Sequence, residues 1–252
     1  MMRSLSADQI LQIWEIGQSQ HPLDRALTLL AFACPGRLPA ELAALSLGQR
    51  DAYLLTLREL TFGSRLNGFA ECPQCAEPLE MSLNVSDIRL IDPDQPQPMA
   101  YQLTVAGIEL QFRLPNSLDL AAVLQPGRVP LDRDVTRVND RLVERCLLQA
   151  SQAGQAIAYS DLPPVAIAGL AAEMSVVDPQ AEIWLNLICP ACNHSWQALF
   201  DIVSFFWTEL NAQVKRLTQE VCTLARFYGW READILAMTP MRRQLYLDLV
   251  SP

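Results

Sequence analysis

Apolar residues recur every three to four positions through most of the first 70 residues, the spacing that lines one face of a helix. Ile10, Ile13, Trp14 and Ile16 follow Ser6 and Gln9, an S-x-x-Q capping pair at a helix start. A second helix is predicted from near Leu23 to the stop at Cys34-Pro35-Gly36, and Pro39 suits the first position of a third. After Gly48-Gln49-Arg50-Asp51, the residues Leu54, Leu55, Leu57, Leu60 and Phe62 predict a strongly amphipathic helix closed by Gly63. Residues 1–70 thus read as a helical packing region.

The period then changes. Glu80 to Val85 alternates polar and apolar positions, as a half-buried strand does. A Pro- and Asp-rich stretch, residues 92–98, reads as a connector. Tyr101 to Val105 and Ile108 to Leu114 alternate on both sides of Ala106-Gly107, which predicts a β-hairpin. Helical spacing returns in three runs: from Asn116 or Ser117 to Val123, from Asp134 to Ala150, and from Val165 to Met174. Ala181 to Ile188 reads as a strand. From about Ile202 a long helix runs to roughly Phe227, and a short helix follows Trp230. The last helix has Thr239 as N-cap and Pro240 at its first position, with Met241, Leu245, Tyr246 and Leu249 on one face. That face could dock in a partner's groove or pack on the protein's own core.

Composition narrows the class. The 252 residues are half apolar, with 28 acidic against 19 basic side chains, a net charge of −9. Mean hydropathy is +0.12, too high for a disordered chain. Lys215 is the single lysine, and no basic residue occurs between Arg145 and Lys215 or between Arg65 and Arg89. Residues 71–130 hold eight acidic and three basic side chains, a local −5. Nucleic-acid affinity comes mainly from Lys and Arg displacing counterions, so nucleic acid is disfavoured as a partner. The N-terminus lacks the uninterrupted apolar run of a signal peptide, and the most apolar windows are far shorter than a bilayer span. A cytoplasmic protein is expected, with no membrane insertion.

Cysteine carries the candidate chemistry. Cys72-Pro73-Gln74-Cys75 and Cys189-Pro190-Ala191-Cys192 are two C-x-x-C knuckles, while Cys34, Cys146 and Cys222 stand in apolar helical runs and read as core residues. Four thiolates complete the tetrahedral shell of a structural zinc ion, so Cys72, Cys75, Cys189 and Cys192 are the candidate metal ligands and Zn2+ the expected structural cofactor. An iron–sulfur cluster takes the same four ligands. A redox pair is the rival chemistry, disfavoured because each knuckle has a twin. His194 is a substitute ligand only if a thiolate is missing.

An internal repeat places these knuckles. An offset of 117 residues aligns Cys72 and Cys75 with Cys189 and Cys192, Leu79 with Trp196, Leu83 with Phe200, Asn84 with Asp201 and Val85 with Ile202. The two knuckles are expected as halves of one split zinc ribbon, separated by an insertion of 113 residues, 76–188. The fold class is then α+β, mostly helical, with four parts: an N-terminal helical region 1–68, the ribbon 69–86 plus 181–201, an inserted hairpin and helical region 87–180, and a C-terminal helical region 202–252.

No glycine-rich phosphate loop, G-x-S-x-G or H-E-x-x-H motif is present, and the two histidines, His21 and His194, form no catalytic set. A non-enzymatic protein is expected, with no small-molecule substrate.

Taken together, the segment Gly48-Gln49-Arg50-Asp51-Ala52-Tyr53-Leu54-Leu55-Thr56-Leu57-Arg58-Glu59 with Phe62-Gly63, the two C-P-x-C knuckles, and Tyr228-Gly229-Trp230-Arg231-Glu232-Ala233 before Ile235-Leu236 resemble the baseplate proteins of contractile phage tails and phage-like injection particles. That group includes the small baseplate hub assembly protein of T4-type phages. The likeness extends from about residue 20 to the C-terminus, and the Tyr228-Gly229-Trp230 turn with the helix Met241 to Val250 carries most of it. It implies a structural or assembly protein of a tail baseplate whose partners are other baseplate or tail proteins, a cytoplasmic protein open to incorporation into a tail or injection particle. Members of the group need not carry both knuckles, so the zinc site rests on cysteine spacing alone. A zinc-ribbon nucleic-acid adaptor is the alternative reading.

Overall fold

The computed structural model describes residues 2–124 and 135–250. Four helices come first: α1 (Ala7–Gly17), α2 (Pro22–Ala33), α3 (Pro39–Ala43) and α4 (Leu47–Phe62). The capping box at α1 forms as expected, with the Ser6 hydroxyl accepting from the Gln9 N–H at 3.2 Å and the Gln9 side chain accepting from the Ser6 N–H at 3.0 Å. His21 caps α2, its Nδ1 accepting from the Leu23 N–H at 3.3 Å.

Helix α4 departs from the expectation. It is not amphipathic: Ala52, Leu54, Leu55 and Leu57 are fully buried around several sides, and Arg50 and Arg58 are buried with them. The reason is position, since α4 runs through the middle of the molecule with other elements on its flanks. Its arginines go inside because each has a carboxylate partner, Asp51 for Arg50 at 2.7 Å and Glu209 for Arg58 at 2.5 Å.

The helical reading of residues 1–70 also fails at its end. Gly63, at φ 92°, stops α4, and Arg65–Glu71 is strand β1, antiparallel to β2 (Pro78–Asn84). Helix α5 (Val85–Ile88) follows, then a sheet of order β3-β4-β5-β6 built from Tyr101–Val105, Ile108–Phe112, Leu147–Gln152 and Gln155–Ala156. The β3–β4 turn uses Ala106 and Gly107, both at positive φ, as a two-residue hairpin requires. Helices α6 (Ser117–Val123), α7 (Val135–Cys146) and α8 (Pro164–Val177) accompany this sheet.

The long helix expected from Asp134 to Ala150 is a second correction. Asp134 lies outside the described residues, and α7 ends at Cys146, after which Leu147–Gln152 is strand. Local pattern does not separate the two states here. The free edge of β4 does, because Ala150 and Ser151 take up register with Leu110 and Glu109.

The chain closes with β7 (Ile183–Ile188), β8 (Ser195–Phe200), α9 (Ile202–Tyr228), α10 (Glu232–Leu236) and α11 (Pro240–Val250). Gly229, in the left-handed region at φ 68°, ends α9. Of the face expected on α11, Tyr246 packs on Tyr228 and Trp230, with ring centroids 5.7 and 4.8 Å away, while Met241, Leu245 and Leu249 are exposed. The residue that ties α11 down is Arg243, buried and paired with Glu220 at 2.9 Å.

Two cores result. One joins α1, α2, α4 and α9 through residues such as Ile13, Leu29, Leu54, Phe206 and Leu217, with Leu66 and Ile183 from the bases of β1 and β7. The other lies between the four-stranded sheet and α7 and α8, with Leu110, Phe112, Cys146 and Leu170 at its centre. Buried polar groups bridge them: the Asp178 carboxylate accepts from the Gly48 N–H at 3.0 Å, and the Gln180 side chain bonds the backbone of Leu90 and Ile88.

Candidate metal centre

Each knuckle is the tip of its own hairpin. Cys72 follows β1 and Cys75 precedes β2; Cys189 follows β7 and Cys192 precedes β8. The two hairpins belong to separate two-stranded sheets, so the two expected halves share no strand pairing and approach each other at the cysteines. The turn explains why: each knuckle closes on itself and returns the chain to its own partner strand. In the first, the Ala76 N–H donates to the Cys72 carbonyl at 2.9 Å and the Cys72 N–H to the Glu77 carbonyl at 3.0 Å. In the second, Asn193 donates to Cys189 and Cys189 to His194, both at 2.9 Å.

These are the same turn 117 residues apart. Ala76 and Asn193, the equivalent positions, both take positive φ, 61° and 58°. The correspondence continues past the strands, where Asn84 precedes α5 and Asp201 caps α9 with an Oδ1 that accepts from the Val203 N–H at 2.9 Å. The repeat seen in the sequence is therefore a repeated hairpin-and-helix unit.

The two tips meet at the cysteines. The Cys72 and Cys192 sulfurs are 3.7 Å apart, the Cys75 and Cys189 sulfurs 3.6 Å, and all four lie within 4.8 Å of one another. A tetrahedron with metal–sulfur bonds of about 2.3 Å has sulfur–sulfur edges of about 3.8 Å, so the donor set fits a zinc-sized cation. The separations are far longer than a disulfide bond, and all four are free cysteines. Cys72 and Cys189 are buried, Cys192 is half-buried and Cys75 is exposed, so the cluster is open to solvent on one side.

The electrostatics favour a cation. Burial opposes ionisation of Cys72, but the backbone N–H groups of Cys75 and Gln74 and the neighbouring thiols outweigh it and lower its pKa to about 7. At Cys75 the Glu77 backbone favours the thiolate, yet the surrounding Cys192, Cys189 and Cys72 push the pKa up to about 12. One proton leaves readily and the later ones are held back by crowding of negative charge, which a divalent ion relieves.

The other candidates separate from this cluster. His194 stacks on Trp196 at 6.0 Å, and among the described residues the metal-sized group consists of the four cysteines. Cys34 and Cys146 are buried, as expected, whereas Cys222 is exposed on α9 and not a core residue. The sequence reading missed β1, the arm that carries the first knuckle. Its inward positions, Leu66, Gly68 and Ala70, include only one large apolar side chain, so the alternation is faint.

An α+β protein, mostly helical with several small sheets and with four cysteines gathered at the tips of two equivalent hairpins, is what the geometry defines. The family model described as T4 bacteriophage base plate protein matches residues 17–207, and the chain belongs to that family. No curated protein and no solved structure matches it. Family membership gives the chain a structural role in a phage baseplate and makes other tail or baseplate proteins its partners. The matched span includes both knuckles and ends inside α9. The Tyr228-Gly229-Trp230 turn and α11, which carried most of the resemblance in the sequence, lie beyond it. Among the described residues no helix is long and apolar enough to cross a membrane.

Proposed function

We propose that the protein is a non-enzymatic structural or assembly component of a contractile tail baseplate, in a phage or a phage-like injection particle. A structural zinc ion held by Cys72, Cys75, Cys189 and Cys192 locks its two hairpins together. The observation that carries this reading is the gathering of four sulfurs, from knuckles 114 to 120 residues apart, within 4.8 Å inside the span matched by the baseplate family. In this reading the ion ties residues 69–86 to 181–201 and so fixes both ends of the inserted region 87–180 between the helical regions 1–68 and 202–252. In either role, in the particle or during its assembly, the protein acts through its surfaces.

The nucleic-acid adaptor reading has little support. No Lys or Arg lies between Arg65 and Arg89 or between Arg145 and Lys215, and a zinc ion with four thiolates adds a formal charge of about −2.

Metal analysis of the purified protein tests the centre: one zinc per chain is expected, lost in Cys72→Ser and Cys189→Ser. Iron together with acid-labile sulfide would replace zinc with a cluster, iron without sulfide would replace it with a single iron ion, and less than a tenth of an equivalent of either metal would refute the centre. Mass spectrometry of purified tails tests the baseplate role, which fails if the protein is absent both from tails and from their assembly intermediates.

A further inference from the structure

A groove of about 930 Å³ opens between α1, the end of α4, the start of β1, α9 and the turn from α10 into α11. Its walls at Leu5 to Ile10 and from Glu209 onward lie outside the span matched by the baseplate family, 17–207, so parts of the chain beyond that match complete it. Leu5, Ile10, Phe62, Leu236 and Met238 make an apolar floor. Arg58, Arg65, Arg216 and Arg243 line the groove with Asp8 and Glu209, and these charges do not balance. Arg58 is bonded to Glu209 and the Gly63 carbonyl, and Arg243 to Glu220 and the Met238 carbonyl, so both are committed inside the wall. Arg65 is exposed and has no carboxylate partner among the described residues, its Nε donating to the Ser82 hydroxyl at 2.8 Å. Arg216 is exposed too, and its ion pair, at 3.4 Å, is with Glu220, which already holds Arg243 at 2.9 Å. Against these stands Asp8, which lies in the first turn of α1, answers the positive end of that helix and accepts from the Gln12 side chain at 2.6 Å. The first turn of α11, which also opens on the groove, contains no acidic residue. Of the neighbouring carboxylates, Glu59 is paired with Arg89 at 2.7 Å, and Glu232 and Asp234 sit at the start of α10, whose other end lines the groove.

In a chain of net charge −9, the groove thus presents positive charge that no carboxylate of its own answers. A carboxylate completes it, because a guanidinium takes one through two parallel N–H bonds and a helix N-terminus favours an anion. The apolar floor calls for an uncharged side chain beside that carboxylate. An inorganic anion would leave the floor open to water, and a nucleic-acid strand would need more cations than Arg65 and Arg216 supply. We propose that this groove receives an acidic segment of a partner polypeptide, its carboxylates meeting Arg65, Arg216 and the start of α11 while an apolar side chain of the same segment covers Leu236 and Met238. The charge accounting carries the acidic class of the segment. Only the partner's identity as a tail protein rests on family membership.

The test uses the whole protein and the peptide acetyl-Leu-Glu-Ala-Leu-Glu-amide, with glutamine in place of both glutamates as the uncharged control. The readout is the Met238 methyl resonance, assigned with Met238→Leu. The glutamate peptide is expected to shift this resonance saturably and to bind about fivefold more tightly than the glutamine peptide, a difference that raised salt removes. Arg65→Gln and Arg216→Gln, both at exposed positions, are each expected to lower that preference to about twofold while leaving the thermal midpoint unchanged. Equal binding of the two peptides, no shift with either, or a preference that survives both substitutions together would overturn the proposal. Saturation by inorganic phosphate or a short oligothymidylate at lower concentration than the glutamate peptide would also overturn it, since the groove would then be a phosphate site. A dimer abolished by Arg65→Gln would do the same, because a second copy of the chain would then be the occupant. None of these outcomes bears on zinc content, so failure here and failure of the metal centre remain distinguishable.

Discussion

Replacing Cys189 by Ala removes one of the four sulfurs and tests how much of each hairpin depends on the centre. Along β1 and β2 the buried residue is Leu66, at the base, and along β7 and β8 it is Ile183, also at the base. Above these points Cys72 and Cys189 are the buried side chains, so the tips have almost no apolar core of their own. A two-stranded hairpin without such a core is marginally stable in water. A metal present at about a thousand times its dissociation constant contributes about 4 kcal/mol against any opening that releases it. Loss of that contribution speeds hydrogen exchange at the tips by about a thousandfold. The assay is native-state exchange read by mass spectrometry in residues 69–81 and 186–198, with α4 and α9 as internal references. Cys189→Ala, or a strong chelator added to wild type, is expected to expose both tips together while the references change far less. Cys34→Ala, at another buried cysteine, controls for loss of a small side chain and leaves the tips protected. Unchanged exchange in both tips after either treatment would refute the idea that the cysteine centre holds them.

Asp119 predicts a different sensitivity. Burial raises its pKa, but hydrogen bonds from Arg113 first, then the Asn116 N–H and Arg145, hold the carboxyl below its ordinary value. A depressed folded-state value means that its stabilising contribution is complete above about pH 4 and is lost as acid protonates the folded carboxyl. Asp119→Asn is expected to cost about 2 kcal/mol at neutral pH, since both arginines are partly exposed, and to flatten the loss of stability below pH 4 seen in urea titrations. An unchanged acid limb would count against this pairing. Gly17→Ala probes packing, because a Cβ there would sit 2.2 Å from the Trp207 ring in the first core. A loss of about 1 to 3 kcal/mol is expected in chemical denaturation, and a neutral result would mean that Trp207 is free to move.

Helix starts and the cysteine knuckles were legible because their signals are local. Ser6 with Gln9, Asn116 and Thr239 all bind backbone N–H groups within three residues, and no distant part of the chain is needed to form those bonds; the caps His21 and Asp201 are equally local but were not read as caps. The 117-residue repeat was likewise visible, since equal turns demand equal spacing, and it aligned Asn84 with Asp201, which the structure shows standing before α5 and α9. Residues 147–152 were misread because their state depends on β4, more than 30 residues earlier, whose free edge takes them up as a strand. Burial of Arg58 depends on Glu209, 151 residues away, and exposure of Leu245 and Leu249 depends on how Arg243 and Tyr246 seat α11. By itself the sequence determined which residues could serve as metal ligands and which segments could start helices. Only the tertiary structure decided that the knuckles meet as the tips of two separate hairpins. Backbone bonds within each turn are local, whereas the approach of sulfurs more than a hundred residues apart requires the core that both hairpin bases share to form.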